Sequence, residues 1–138
     1  MYKILVVDDD RGVLRVLEEF LGRMGYEVMT ALGGEKAIRI IESGLLIGLM
    51  VVDLKMPRVD GIAVLKRMKE RKHDIPVIVL SGSIKLGGYL NALKELGYGY
   101  GDILYKPIDL YALSDMIGKR LPRKDQRRPD GEKDISGR

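Results

Sequence analysis

Apolar and polar positions along the chain alternate between two periods. Short, nearly continuous aliphatic runs recur at Tyr2–Val7, Tyr26–Ala31, Leu49–Asp53, Pro76–Leu80 and Ile103–Tyr105, each the length of a strand. Between them the apolar residues fall three and four apart. Val13, Leu14, Leu17, Phe20, Leu21 and Met24 mark one face of a helix over Arg11–Met24, and Gly25 ends it as a C-terminal glycine would. Ala37, Ile38 and Ile41 do the same for Glu35–Glu42. Val64, Leu65 and Met68 form the stripe of a helix that Asp60 caps and that runs through Glu70. Two more helices are predicted over Ile84–Leu96 and Leu110–Leu121. Strands that read as near-continuous Val, Ile and Leu are those of a parallel sheet covered on both faces. Five strand–helix pairs therefore predict an α/β, doubly wound parallel sheet with right-handed crossovers over residues 1–121.

The polar residues that end these runs carry the chemistry. Ile4-Leu5-Val6-Val7 stops at Asp8-Asp9-Asp10, and Leu49-Met50-Val51-Val52 stops at Asp53. Pro76–Leu80 delivers Ser81-Gly82, and Ile103–Tyr105 delivers Lys106-Pro107. In such sheets ligands bind at the carboxyl ends of the strands, where the strand order reverses. Asp8, Asp9, Asp53, Ser81 and Lys106 are thus expected in one pocket. Alone, an acidic triplet is more often a helix cap with a solvated turn, and Ser81 could equally be a cap. Together the acids conflict: two carboxylates ~4 Å apart repel by about 4 kcal/mol at an effective dielectric near 20. A hard divalent cation such as Mg²⁺, held by carboxylates and water, resolves that conflict, and Lys106 adds a second positive charge. Pro57 and Gly61 punctuate the loop after Asp53, and the Lys106–Pro107 bond is a candidate for cis geometry.

The motifs Val6-Val7-Asp8-Asp9-Asp10, Val52-Asp53-Leu54-Lys55-Met56-Pro57 with Asp60-Gly61, Pro76-Val77-Ile78-Val79-Leu80-Ser81-Gly82 and Lys106-Pro107 occur in this order over residues 2–121. In this the chain resembles the response-regulator receiver domains of two-component signal transduction. The resemblance implies a flavodoxin-like (βα)5 sheet of strand order 2-1-3-4-5. It implies that Asp53 takes a phosphoryl group from a sensor histidine kinase or phosphotransfer protein. Asp8, Asp9, Asp53 and the carbonyl of Lys55 would hold Mg²⁺, and Ser81 and Lys106 would bind phosphoryl oxygens. The chain would then be a phosphoacceptor switch whose only catalysis is its own phosphorylation and dephosphorylation. Its output would pass through the α4–β5–α5 surface to an output domain or downstream protein, with room for a phosphorylation-dependent homodimer. One position departs from the family: three residues before the lysine the usual Tyr or Phe is Ile103. Weak coupling between Ser81 and a switching ring is expected, with Tyr98, Tyr100 and Tyr105 the candidates to replace it. Lys55 and Ser83 flank the route of attacking water, at positions that in this family tune the lifetime of the phosphoryl group.

Composition narrows the alternatives. With no cysteine there are no disulfides, thiolate metal sites or cysteine nucleophiles. No apolar stretch approaches the ~20 residues of a membrane span, and the chain enters a strand at once, so cytoplasm is the expected compartment. The net charge of +4 comes from 24 Lys/Arg against 20 Asp/Glu. From Lys119 onward there are eight basic and four acidic residues, which leaves 16 of each before it. The excess belongs to this C-terminal stretch, of which the charged segment 122–138 is expected to be a disordered basic tail or the start of a linker. It lacks aromatic interleaving, so neither nucleic acid nor membrane is an expected partner. His73 lies in a charged surface stretch, away from the strand ends. A haloacid-dehalogenase-type phosphatase using Asp8 and Asp10 would need an acidic metal motif after the fourth strand, and that is missing. A degenerate receiver acting by binding alone is a further alternative, against which stands the full set of pocket residues.

Overall fold

The computed structural model describes residues 3–121. Its elements are β1 (Lys3–Asp8), α1 (Arg11–Arg23), β2 (Glu27–Leu32), α2 (Gly34–Glu42), β3 (Leu49–Asp53), α3 (Gly61–Glu70), β4 (Val77–Ser81), α4 (Gly88–Glu95), β5 (Ile103–Tyr105) and α5 (Leu110–Arg120), with one 3-10 turn at Tyr100–Asp102. Every strand pair is parallel and the order is β2-β1-β3-β4-β5. This is the predicted flavodoxin-like sheet, and its order reverses between β1 and β3, where Asp8 and Asp53 end their strands.

The strands divide their side chains between two cores. Leu5, Val7, Met50, Val52, Val77 and Val79 face α2, α3 and α4, meeting Ala37, Ile41, Val64, Leu65, Met68 and Leu93. Ile4, Val6, Leu49, Val51, Ile78 and Leu80 face α1 and α5, meeting Leu14, Leu17, Leu21, Leu113 and Ile117. Burial on both faces is why the strand runs have no polar alternation. Asp60 caps α3 through a side-chain oxygen and Gly25 takes φ 97 after α1, both as predicted, and Asp10 and Asp109 cap α1 and α5 in the same way. Met24, predicted in the apolar stripe, instead lies at the C-cap and is exposed.

One element departs from prediction by a full turn. The helix expected from Ile84 begins at Gly88. Ser81 and Ser83 explain the delay. The Ser83 N–H donates to Ser81 Oγ at 3.2 Å, and the Lys85 N–H donates to Ser83 Oγ at 3.1 Å. Such side-chain bonds offer the backbone an alternative to the helix. Gly87 then takes φ 55, leaving Ile84 exposed and tucking Leu86 into the core. Residues 84–87, predicted as the first turn of the helix, are therefore loop. The segment 122–138, expected to be disordered, lies outside the described residues.

Candidate functional site

Backbone hydrogen bonds set the strand ends side by side. The Leu54 N–H donates to the Leu80 carbonyl at 3.0 Å, and the Lys106 N–H to the Ser81 carbonyl at 2.8 Å. The Gly33 N–H donates to the Asp8 carbonyl at 2.9 Å. At the start of α3, Gly61 comes so close to the backbone of Asp53 that a side chain there would lie 2.9 Å from Leu54 Cα. A residue without Cβ is required at that approach.

The acidic triplet divides its labour. Asp10 turns away to cap α1, accepting from the Gly12 N–H at 2.8 Å. Asp8 and Asp9 instead join Asp53, with one oxygen of each within 4.8 Å of the others. Asp8 and Asp53 are buried and Asp9 is exposed. Lys106 Nζ donates to Asp8 Oδ2 at 3.0 Å and lies 3.5 Å from Asp53 Oδ2. The other oxygen of Asp8 accepts from the Asp10 N–H at 3.0 Å. Ser81 is buried too, but its hydroxyl donates to the Ser83 carbonyl at 2.8 Å. The helix-cap reading of Ser81 fails, because α4 starts after Gly87.

One lysine does not balance these acids. Burial and then the neighbouring charge of Asp8 push the Asp53 carboxyl up to about 6, against the pull of Lys106. Burial also raises Asp8, although Lys106 hydrogen-bonds to it. Burial works to lower Lys106, but its hydrogen bond to Asp8 and the charges of Asp8 and Asp53 outweigh that and raise it. The site thus holds acids that resist full ionisation without more positive charge. A hard divalent cation fits this donor set: three converging carboxylate oxygens, two from buried groups.

A cavity of about 830 Å³ opens above these groups. Asp9, Asp53, Lys55, Ser81 and Lys106 line it, as the sequence led us to expect, and Asp8 lies beneath. Arg11, Ser83, Lys85, Leu86 and Tyr89 also line it. Of these only Ser83 was legible from sequence; the others depend on how α1 and α4 are placed. Arg11, Lys55 and Lys85 make no ion pair among the described residues, so a cationic rim surrounds an acidic floor.

The structure separates the candidate tyrosines. Tyr105 is the register partner of Ser81, half-buried against the core that holds Ile103. Tyr100 is exposed in the 3-10 turn. Tyr98 lies near Asp102 and Asp74, which precede β5 and β4, and so belongs to the opposite edge of the sheet. His73 is at that edge as well, in the loop between α3 and β4.

A family profile described as the response regulator receiver domain matches residues 4–118. A probable transcriptional regulator, ycf27, of Cyanophora paradoxa is 37% identical over 121 residues, 88% of this chain and 48% of that protein. The transcriptional regulatory protein CpxR of Escherichia coli (strain K12) is 37% identical over 109 residues, 79% of this chain and 44% of that protein. The chain thus spans about half the length of these relatives. Among solved structures, a response regulator receiver domain protein of Clostridium thermocellum is similar with TM-score 0.78 and 31% identity, over 91% of this chain and 98% of that one. The response regulator TrrA of Thermotoga maritima, solved in complex with Mg²⁺ and BeF, has TM-score 0.74 and 29% identity, over 88% and 100%. No helix among the described residues is long and apolar enough to cross a membrane. The chain belongs to the response regulator receiver domains of two-component systems.

Proposed function

We propose that Asp53 is the phosphoacceptor and that Asp8, Asp9, Ser81 and Lys106 serve the transfer. The observation that carries this reading is the convergence of Asp8, Asp9 and Asp53 with Lys106 at the floor of one cavity. An Asp53 oxygen attacks the phosphorus of a partner's phosphohistidine. The P–N bond breaks, its electron pair returns to the imidazole, and an acyl phosphate remains on Asp53. Such a transfer needs alignment and neutralisation of charge on the equatorial oxygens more than covalent help. Lys106 supplies an ammonium within reach of Asp53. Mg²⁺, held by Asp8, Asp9, Asp53 and the Lys55 carbonyl, supplies further positive charge to the phosphoryl oxygens when bound.

Ser81 must leave Ser83 to donate to a phosphoryl oxygen, and this would carry the loop between β4 and α4 with it. That is the physical route by which the modification would bias the surface of α4, β5 and α5 towards a downstream protein or output domain. Tyr105 is the tyrosine placed beside Ser81 on that route, and Ile103 takes no part as a ring. For the phosphodonor, an apolar groove of about 480 Å³ runs between α1 and the start of α5, lined by Val13, Val16, Pro107 and Ile108. Asp10 and Lys106 border both this groove and the cavity. A histidine kinase or phosphotransfer protein seated there would reach Asp53 from the cationic rim.

Incubation with Mg²⁺ and acetyl phosphate, read by intact mass, tests the assignment. The parent is expected to gain one acid-stable, base-labile phosphoryl group, prevented by chelator and absent from Asp53→Asn. Label persisting in Asp53→Asn would place the acceptor on another carboxylate. No label in the parent would leave a receiver that signals by binding.

A further inference from the structure

Loss of the acyl phosphate requires water on the face of phosphorus opposite the Asp53 oxygen. Asp53 is 3% exposed at the cavity floor, so that face looks towards the mouth. At the mouth, Lys55, Ser83 and Lys85 are exposed polar side chains, which carry water rather than exclude it. Leu86 and Tyr89 are different. Leu86 is buried, and Tyr89 is half-buried and packed against the core beneath α4. Tyr89 is the second residue of α4, its N–H donates to the Leu86 carbonyl at 3.0 Å, and Leu93 fixes the same helix with no exposed surface. The ring is therefore held at the mouth by a packed helix, while its neighbours sit on a loop. The Tyr89 hydroxyl makes no hydrogen bond with a described residue, so it is the ring that is anchored.

We propose that Tyr89, backed by Leu86, shields the phosphoryl group from water and lengthens the life of the phosphorylated state. The proposal rests on the acyl-phosphate reading of Asp53. In the step it slows, a water oxygen bonds to phosphorus and the P–O bond to Asp53 breaks. The electron pair returns to the carboxylate, a water proton passes to solvent, and inorganic phosphate leaves. Excluding water from a reactive intermediate suppresses such a side reaction. Tyr89 acts here by occupying space, and its hydroxyl is dispensable.

The test compares the parent with Tyr89→Ala, Tyr89→Phe and Tyr89→Trp. Each is labelled with acetyl phosphate and Mg²⁺, freed of donor, and followed by intact mass. Tyr89→Ala is expected to lose the group roughly five- to tenfold faster, Tyr89→Phe within about twofold of the parent, and Tyr89→Trp no faster than Tyr89→Phe. A fluorotyrosine at position 89 should also shift its resonance on labelling. Decay of Tyr89→Ala at the parental rate, or an unmoved resonance, overturns the shield. Tyr89→Phe decaying as fast as Tyr89→Ala also overturns it, because the hydroxyl would then be the active part. Should Tyr89→Ala not fold, Tyr89→Trp decaying faster than Tyr89→Phe is the overturning result. A parent that never takes label refutes the acyl phosphate itself, a failure visible before any decay is measured.

Discussion

The acidic side of the cavity is fixed by backbone, whereas the β4–α4 side is fixed by its own hydroxyls. On the acidic side, Asp8 and Asp53 end buried strands, Asp10 caps α1, and Gly61 closes against the Asp53 carbonyl. On the other, Ser81 and Ser83 satisfy each other and Lys85 through short local turns, with Gly82 open to solvent. Breaking the first set exposes core and strands buried polar groups. Breaking the second exchanges one hydroxyl bond for another, or for water, at little net change. The proposed transfer calls for carboxylates that do not move, and the proposed switch for a wall that does.

The largest expected effect lies on the acidic floor. The folded-state pKa of Asp53 is raised from 3.8 to about 6, so the fold favours its protonated form. Its contribution to stability is fully present below pH ~3.8 and is lost as pH rises through about 6. A shift of that size corresponds to about 3 kcal/mol for this buried group. Metal-free parent should thus lose stability across that window, with Asp8 adding in the same direction. Asp53→Asn should flatten the dependence and unfold at higher denaturant at pH 7. Mg²⁺ at ~100 times its Kd should add about 2.7 kcal/mol to the parent and less to the variant. Urea titrations from pH 4 to 7.5 measure all three. A parent whose stability climbs steadily from pH 4 to 6.5 would contradict the strained floor.

Two glycines sharpen the contrast between the sides. Gly61→Ala forces a methyl into the Asp53–Leu54 backbone and should destabilise by about 2 kcal/mol, lowering labelling along with stability. Gly82→Ala meets nothing within 4 Å and should change stability by less than ~0.5 kcal/mol. Comparable losses from both would mean that the loop is as constrained as the floor.

The same division governs how much of the molecule could be read before its structure. The sheet and its acids were legible because they rest on local rules: buried parallel strands are written as aliphatic runs, and Asp60 caps the helix it precedes. Asp8, Asp9, Asp53, Ser81 and Lys106 then meet by topology alone. The wall was not legible. Leu86, Leu90 and Leu93 keep a spacing compatible with helix, and only the competition from Ser81 and Ser83, with Gly87 left-handed, delays α4 to Gly88. That delay places Tyr89 at the mouth, where no motif would have put it. The tyrosines show the same limit. Tyr98 and Tyr105 look alike in sequence, yet one borders Ser81 and the other sits at the far edge.

Tyr98 closes the comparison at that far edge. Its hydroxyl is buried without a hydrogen-bond partner, and Lys69 Nζ stands 4.9 Å from its ring centroid. Burial, then the charges of Asp102 and Asp74, push its ionisation up to about 12, so it stays neutral at any working pH. In the unfolded chain that hydroxyl bonds to water, and folding forfeits the bond. Tyr98→Phe keeps the ring and its contact with Lys69 while removing the forfeited group, so it should stabilise by about 1 kcal/mol. Labelling of Asp53 and the decay of the label should be unchanged. Tyr105→Phe, beside Ser81, supplies the matched measurement at the opposite edge. Were Tyr98→Phe to destabilise the labelled form alone, its hydroxyl would have found a partner there. The far edge would then move with the wall of the pocket rather than stand apart from it.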